Sequence, residues 1–222
     1  MVIPFLFAIP IIVIVGIENL STCIILLAIF FYYDFVATPL LVPFVVIGLI
    51  GVAGAGGLLL TQGYRMERIT VWLDPAASEK GHQTIQGLYA IGSGGLFGKG
   101  LGQSMQKLGF LPEANNDMIF SVICEELGLF GALCVLALFF ALIWRFMVIA
   151  VNAPDLYGSM IVVGVIAHIG IQVFINIAVA TNTIPNTGIP LPFISYGGSS
   201  LVFMLLEMGL VLSVSRYINV KK

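Results

Sequence analysis

The sequence predicts an all-α polytopic membrane protein, with about six transmembrane helices and one large extracytoplasmic loop. Only 9% of the 222 residues are charged and 59% are hydrophobic, whereas about 25% of the residues in a soluble domain are charged. The hydrophobic residues form long runs, and a polar stretch at 62–116 separates the third run from the fourth. A segment rich in proline and glycine precedes the last run.

Charge and cysteine usage exclude several other classes of protein. The formal net charge is −2, and no basic run indicates a nucleic-acid surface. The three cysteines lie in hydrophobic runs without a C-x-x-C pair, which is typical of packing residues rather than of a disulfide or a metal site. Residues 1–16 lack a basic start and contain Pro4 and Pro10, so we interpret them as a membrane segment rather than a signal peptide.

Six hydrophobic runs are interpreted as membrane helices. They cover residues 2–17, 20–36, 39–61, 118–150, 157–180 and 197–218. A spanning helix needs about 20 residues, so the last four runs are long enough and the first two are short. The chain therefore divides into three N-terminal membrane helices (1–61), the large loop (62–116) and three C-terminal membrane helices (117–222).

The large loop contains a helix start signal. Asp74-Pro75 predicts an N-cap followed by proline at the first helical position. We expect a short amphipathic helix to follow and to lie at the membrane surface.

The basic residues of the short loops set the predicted orientation. Arg145 lies near the end of the fourth run, and Arg216 lies near the end of the sixth, whereas residues 181–196 include no lysine or arginine. The positive-inside rule then places the C-terminus in the cytoplasm. By parity, the large loop and the segment rich in proline and glycine share the outer face of the membrane.

The most informative segment is Pro185–Ser200, which reads PNTGIPLPFISYGGSS. Its three prolines and three glycines cannot form one regular helix. Irregular backbone at a membrane boundary must be buried in protein or line a wet cavity, because lipid offers no hydrogen bonds. We therefore expect this signature segment to form part of a functional site.

Asp117 is the first candidate for chemistry. It directly precedes the fourth run, a position that is typical of a helix N-cap. The same position suits a carboxylate at the outer mouth of the bundle, where it could take a proton from a sugar hydroxyl. The two interpretations are compatible, because a helix N-terminus favours the charged form.

Further polar residues lie inside the hydrophobic runs. Glu125 and Glu126 follow Asp117 by about two helical turns, and acids within a membrane mark function by default. The alternative is that one of them pairs with an arginine across the bundle. The fifth run carries a polar stripe with a four-residue period, formed by His168, Gln172 and Asn176. Interhelical hydrogen bonds are the favoured interpretation of this stripe, and Glu207 in the sixth run has no predicted partner.

The large loop offers two candidate anion sites. Residues 91–102 read IGSGGLFGKGLG, but the Walker pattern fails because Gly100 follows Lys99 where serine or threonine is needed. A backbone nest with Lys99 beside it remains a hypothesis, and the alternative is a flexible loop. Arg65 and Arg68 could hold a phosphate bidentately or snorkel at the interface.

Together these motifs closely resemble the SEDS family of bacteria, the shape, elongation, division and sporulation proteins. The matching segments are RMERI at 65–69, LDP at 73–75, QTIQ at 83–86, IGSGGLFGKGLGQS at 91–104, FLPEA at 110–114, Asp117, EELG at 125–128, APD at 153–155 and the signature segment. The residues FGKGLGQS at 97–104 and FLPEA at 110–114 resemble the division branch of the family more than its elongation branch. Asn115 and Asn116 stand where the family usually has histidine and threonine. The chain has fewer predicted helices than the family, so it resembles the C-terminal part of the family's chain.

The resemblance implies a peptidoglycan glycosyltransferase of the bacterial plasma membrane that polymerises lipid II during cell division. Asp117 matches the family's essential aspartate and would be the base of an inverting single displacement. The residues expected to bind substrate are Arg65, Arg68, Lys99, Gln83, Gln86, Glu125, Pro185, Pro192, Ser195, Tyr196, Gly197, Gly198 and Ser199. A divalent cation (Mg²⁺ or Mn²⁺) could help to neutralise the leaving pyrophosphate. The expected partners are a class B penicillin-binding protein and other proteins of the division complex.

Two other functions stay open. The polar stripe and Glu207 could line the path of a lipid II flippase, although no internal repeat of the kind found in many transporters is visible. The chain could also act as a non-catalytic scaffold that regulates a transpeptidase.

Overall fold

A computed structural model describes residues 10–12, 14–16, 19–37, 63–78 and 81–218 of the protein. For residues 20, 21, 33–37 and 63–65 it describes the backbone alone. The predicted run at 39–61 lies outside these residues, as does much of the run at 2–17. Every regular element within the described ranges is helical, which confirms the predicted fold class.

The helices follow the order of the predicted runs. The described α-helices are α1 (Leu20–Ala37), α2 (Gly63–Leu73), α3 (His82–Gly94), α4 (Ile119–Val151), α5 (Leu156–Ala180) and α6 (Gly198–Arg216). Among the described residues, α4, α5 and α6 are long and apolar enough to cross a membrane, and each begins within one residue of a predicted run. The hydrophobic length of each run therefore predicted these helices well.

The chain forms two compact units, Met1–Glu67 and Arg68–Lys222. In the first unit, Cys23 of α1 packs against Ile12. The second unit contains α3 to α6, so the candidate site is built within it.

The large loop is structured by helices. Asp74 caps a short 3-10 turn at Pro75–Ala77, because its carboxylate accepts the amides of Ala76 and Ala77 at 3.2 and 3.3 Å. This confirms the predicted cap, but the helix that follows is a single turn, and the longer helix α3 begins only at His82. A hydrophobic cluster then packs the end of the loop onto α4 and α5, and its buried members are Leu111, Ala114, Met118, Val122 and Val179.

Helix α3 lies directly against the first turns of α4. Two of its glycines make this close approach possible: Gly87 faces Ser121, and a Cβ on Gly94 would overlap the backbone carbonyl of Cys124. The earlier glycine, Gly87, meets the earlier residue of α4, and Gly94 meets the later one, so the two helices run side by side in the same direction. This packing brings the start of α3 next to the residues that precede α4.

Candidate active site

The Asp117 carboxylate is buried between α3, α4 and the signature segment. Its residue is 5% exposed. The Gln83 side-chain amide donates to both carboxylate oxygens, at 3.3 Å to Oδ1 and 3.5 Å to Oδ2. The Asn176 side chain of α5 holds the Asp117 backbone carbonyl at 2.8 Å.

The N-cap interpretation of Asp117 is wrong. Helix α4 begins at Ile119, and Met118 occupies the cap position without any side-chain hydrogen bond. Since Asn176 holds the main chain of Asp117 and Gln83 takes its side chain, the carboxylate is directed away from the free amides of the helix. Asp117 is therefore available for a role other than capping.

Burial raises the pKa of Asp117 above its usual value, and the nearby negative charge of Glu113 raises it further. Hydrogen bonds from the backbone and from the amides of Gln83 and Asn186 lower the pKa, but the net shift is upward. Desolvation disfavours the charged form of a carboxyl group. The result is a carboxylate with an increased proton affinity, which is the property that a general base requires.

Three amide and guanidinium groups lead from the edge of the loop to Asp117. The Arg68 guanidinium donates to the Asn186 backbone carbonyl at 3.0 Å. The Asn186 side-chain amide donates to Gln83 Oε1 at 3.1 Å, which leaves Gln83 Nε2 directed at the carboxylate. We call these residues, Arg68, Asn186 and Gln83, the amide relay.

The signature segment is irregular, as predicted, and is bonded to the chain around Asp117. The Ser195 hydroxyl donates to the Asn116 carbonyl at 2.6 Å, and the Tyr196 amide donates to the Asn115 carbonyl at 2.8 Å. Phe193 has a φ of 62°, a left-handed conformation that is uncommon for a bulky residue. These hydrogen bonds hold the segment against the residues directly before α4.

A cleft of about 480 Å³ opens beside this contact. Its lining residues are Asn115, Ile119, Phe193, Ile194, Ser195, Tyr196, Gly197, Gly198 and Leu201. Tyr196 is 84% exposed at its rim. Four predicted substrate-binding residues, Ser195 to Gly198, therefore share one cleft with two neighbours of Asp117 in the sequence.

The remaining predicted residues of the signature differ in exposure. Pro185 is half-buried, and Ser199 is exposed in the first turn of α6. Pro192 is completely buried in this structure, and its predicted contact with substrate stays a prediction. Gln86 lies on α3 one turn after Gln83 and is half-buried. The side chain of Arg65 lies outside the part of the chain that is described.

Glu125 has the role of a structural acid. It is fully buried, and Lys99 Nζ lies 2.6 Å from its Oε1 atom. The Ser104 hydroxyl donates to its other oxygen at 2.5 Å. Ser93 and the amides of residues 105 and 106 add longer hydrogen bonds. The partner of this acid is thus a lysine of the loop rather than an arginine, and its burial weighs against a direct contact with substrate.

Glu126 pairs with the other lysine of the same loop. Lys107 Nζ lies 2.5 Å from Glu126 Oε1, with 28% and 12% of the two side chains exposed. Lys99 and Lys107 therefore hold the loop on α4 through the two adjacent acids. The predicted role of Lys99 at a pyrophosphate stays a prediction, and its ammonium group is bonded to Glu125 in this structure.

The glycine-rich loop repairs a break in α4 at Gly128. Gly128 has a φ of 67°, which interrupts the helix. The break frees four backbone groups, and all four bond to the loop: the carbonyls of Glu125 and Glu126 accept from residues 99 and 100, and the amides of residues 129 and 130 donate to residues 95 and 96. The amides of residues 99 and 100 are therefore bonded to α4 in this structure, and the anion-nest hypothesis stays a prediction.

The polar stripe of α5 forms interhelical and segment contacts, as favoured from the sequence. His168 Nδ1 lies 2.8 Å from Glu207 Oε1 on α6, and Gln172 lies 2.9 Å from the other ring nitrogen. Asn176 bridges Asp117 and the Ile189 carbonyl, each at 2.8 Å. These contacts supply the partner that Glu207 lacked in the sequence.

Asn186 is the site residue that the sequence reasoning did not single out. It lies in the signature segment, where its side chain is the one amide among prolines, hydrophobic residues and hydroxyl-bearing side chains. That isolation was the available signal, because a half-buried amide needs a hydrogen-bond partner.

The predicted divalent cation finds no complete site in the described ranges. No three His, Cys, Asp or Glu side chains converge there to hold a metal. Mg²⁺ is often held by one or two carboxylates together with substrate phosphates. The described side chains do not form such a site by themselves, so the cation stays a prediction.

The fold and site define a polytopic helical membrane protein with a buried acid at the end of its bundle. The family model described as cell cycle protein, which covers FtsW, RodA and SpoVE, matches residues 1–220. The chain belongs to this family.

Individual relatives include both sporulation and division proteins. The stage V sporulation protein E of Bacillus subtilis is 52% identical over 206 residues, covering 91% of this chain and 54% of that protein. A probable peptidoglycan glycosyltransferase FtsW of Geobacter sp. is 44% identical over 170 residues, covering 76% of this chain and 46% of that protein. The chain therefore spans about half the length of the curated relatives it matches.

Solved structures are similar over nearly the whole chain. A chain from a peptidoglycan synthase complex matches with a TM-score of 0.76 and 27% identity, covering 99% of this chain and 62% of that one. The rod shape determining protein RodA of Thermus thermophilus matches with a TM-score of 0.65 and 28% identity, covering 98% of this chain and 56% of RodA. These similarities confirm the polytopic membrane fold.

Proposed function

We propose that this chain carries the catalytic base of a peptidoglycan glycosyltransferase that polymerises lipid II during cell division. The family and the names of its FtsW relatives support the activity. The observation that carries the proposal is the Asp117 carboxylate, which is 5% exposed and, within the described ranges, is bonded by the neutral amides of Gln83 and Asn186 rather than by a cation.

The proposed reaction is one displacement with inversion. Asp117 takes the proton from a sugar hydroxyl of the acceptor while that oxygen forms a bond to the anomeric carbon of the donor. The bond from this carbon to the lipid pyrophosphate breaks, and its electron pair leaves with the pyrophosphate. A single carboxylate base and stabilisation of the leaving charge are sufficient for such a step, by analogy with inverting glycosidases.

The cleft beside Asp117 is the proposed position for the sugars. It combines Ser195, Tyr196 and Asn115 with the apolar side chains of Ile119 and Leu201, and a mixture of polar and apolar groups suits a sugar attached to a lipid. The pyrophosphate is proposed to meet Arg68 of α2, since guanidinium groups bind phosphate bidentately.

The orientation and the partners belong to the same proposal. The site faces outward and the C-terminus lies in the cytoplasm of a bacterial cell, as the basic residues of the short loops indicate. The partner is a class B penicillin-binding protein, and the similarity to a chain of a peptidoglycan synthase complex supports this choice.

The test is the Asp117→Asn variant in the full-length protein, reconstituted in liposomes with lipid II. We expect glycan polymerisation to fall by about 10² to 10⁴-fold, because a positioned base contributes about that factor. The matched control is Asp155→Asn, which makes the same chemical change at the exposed start of α5. Normal polymerisation by Asp117→Asn would remove the assignment of the base.

The two alternatives predict different results in the same system. Outward movement of labelled lipid II in proteoliposomes without a polymerase, lost when His168 or Glu207 is replaced, would favour the flippase. Rescue of a division-defective strain by the Asp117→Asn protein would favour the scaffold.

A further inference from the structure

Hydrogen-bond direction is the property of the amide relay that matters for Asp117. A side-chain amide has one donor end and one acceptor end. Because Asn186 donates to Gln83 Oε1, the donor end of Gln83 must point at Asp117. The backbone carbonyl of Asn186 accepts a hydrogen bond from Arg68 at 3.0 Å. Every donor in the series is thus directed from α2 towards the carboxylate.

The relay joins three segments that are distant in the sequence. Arg68 and Asn186 are 118 residues apart, and Asn186 and Gln83 are 103 residues apart. It therefore depends on the position of the signature segment, which Asn176 fixes through the Ile189 carbonyl at 2.8 Å. A displacement of the segment would take the Asn186 amide away from Gln83 Oε1, and the Gln83 side chain could then rotate.

We propose that Gln83 and Asn186 are positioning residues, which orient the Asp117 carboxylate and link it to the arginine side of the site. This inference rests on the proposed function for its catalytic consequence. Gln83 was expected to bind substrate from the family resemblance, and the geometry instead directs both ends of its amide to the protein itself.

The link has a consequence for substrate binding. An anion that takes the Arg68 Nη1 hydrogen would compete with the Asn186 backbone carbonyl for that donor. Binding of a phosphate group at Arg68 is then coupled through Asn186 to the orientation of the Asp117 carboxylate. The phosphate and the carboxylate do not need to contact each other. The coupling is specific to this relay, because Asn176 holds only the backbone of Asp117.

The first variant is Gln83→Leu, which removes the amide donor that lies 3.3 and 3.5 Å from the two carboxylate oxygens of Asp117. The charged groups around the carboxylate, Glu113 and the more distant Arg68, are unchanged in this variant. Loss of a hydrogen bond to the ionised form moves the titration midpoint upward. We expect the acidic limb of the activity profile to move to higher pH by about one unit.

The second variant is Asn186→Leu, which removes the amide donor that fixes Gln83 while nearly conserving side-chain volume. Without that donor, the Gln83 amide can turn its donor end away from Asp117. We expect a shift in the same direction as for Gln83→Leu. The double variant should show no further shift beyond the larger single one, because both changes interrupt one series of bonds.

The decisive readout is independent of activity. The carboxyl stretching band of Asp117 is titrated by infrared difference spectroscopy, with the Asp117→Asn protein as the reference that lacks the band. The control variant is Gln103→Leu, because Gln103 is exposed on the loop, and thermal melts confirm that each variant is folded. A raised midpoint in both relay variants, with an unchanged midpoint in the control, supports the proposal.

An unchanged Asp117 midpoint in folded Gln83→Leu protein overturns the proposal, whatever the activity shows. Additive shifts in the double variant also overturn it, since they would mean two independent contacts. If the midpoint moves while Asp117→Asn retains full polymerisation, the relay is correct and the proposed base is not. The two hypotheses can therefore fail separately.

Discussion

Two acids at the start of α4, Asp117 and Glu125, are both buried but differ in what surrounds them. Glu125 has a lysine at 2.6 Å, a hydroxyl at 2.5 Å and three longer donors. Asp117 receives only neutral side-chain amides among the described residues, from Gln83 at 3.3 and 3.5 Å and from Asn186. An acid with a saturated set of donors stabilises a fold, whereas a buried acid with few donors keeps its affinity for a proton. The number and charge of the hydrogen-bond donors therefore distinguish an acid that stabilises the fold from one that is suited to proton transfer.

The largest expected effect is on stability, from Glu125→Gln. This change removes a charge but leaves the Lys99 ammonium group without its partner and mismatches several donors. Each buried donor that loses its acceptor costs about 1–3 kcal/mol, and several are affected together. The measurement is thermal melting of the protein in lipid nanodiscs, with Glu113→Gln as the control because Glu113 is exposed.

A stability loss confined to Glu125→Gln is the expected pattern. Equal melting temperatures for Glu125→Gln and the unchanged protein would show that the contacts of Glu125 do not hold the loop.

The two lysines of the loop sharpen the comparison. Lys99 has 35% of its side chain exposed and Lys107 has 28%, so exposure alone predicts a slightly smaller effect for Lys99. The burial of the acidic partner predicts the opposite order, because the Glu125 side chain has no exposed surface and that of Glu126 is 12% exposed. We expect Lys99→Met to cost about 3 kcal/mol and Lys107→Met about 1 kcal/mol.

These two variants are each other's control in the same melting experiment. The reverse order of the two losses would contradict the interpretation that the burial of the acid sets the strength of the pair.

The smallest expected effect has the opposite sign and comes from Asp117→Asn. Since burial raises the pKa of Asp117 in the folded state, its contribution to stability is complete below the unfolded pKa and is lost as the pH rises through the folded pKa. The asparagine variant avoids that loss. We expect it to melt at a higher temperature than the unchanged protein at pH 7, with the difference shrinking towards pH 4.

Thermal melts of both proteins between pH 4 and pH 8 test this expectation. The Asp155→Asn protein serves as the control, because its aspartate is exposed. A difference that grows as the pH falls would contradict the raised proton affinity of Asp117.

The sequence by itself determined the helices that cross the membrane and the irregular outer segment. Long hydrophobic runs predict α4, α5 and α6 because helices satisfy their own backbone hydrogen bonds in lipid. The prolines and glycines of Pro185–Ser200 exclude a regular helix for equally local reasons. Asp117 was selected through the family resemblance, because its position directly before a membrane helix also suits a helix cap.

Only the tertiary structure decided which donors each acid receives. The lysine partner of Glu125 is 26 residues away, and the amide that orients Gln83 is 103 residues away. The break at Gly128 is also hidden in an apolar run, because its cost is offset only by the loop groups that bond to it. Composition and periodicity record local preferences, whereas hydrogen bonds between distant segments depend on how the helices pack. That packing surrounds Glu125 with a lysine and several other donors and leaves Asp117 with neutral amides.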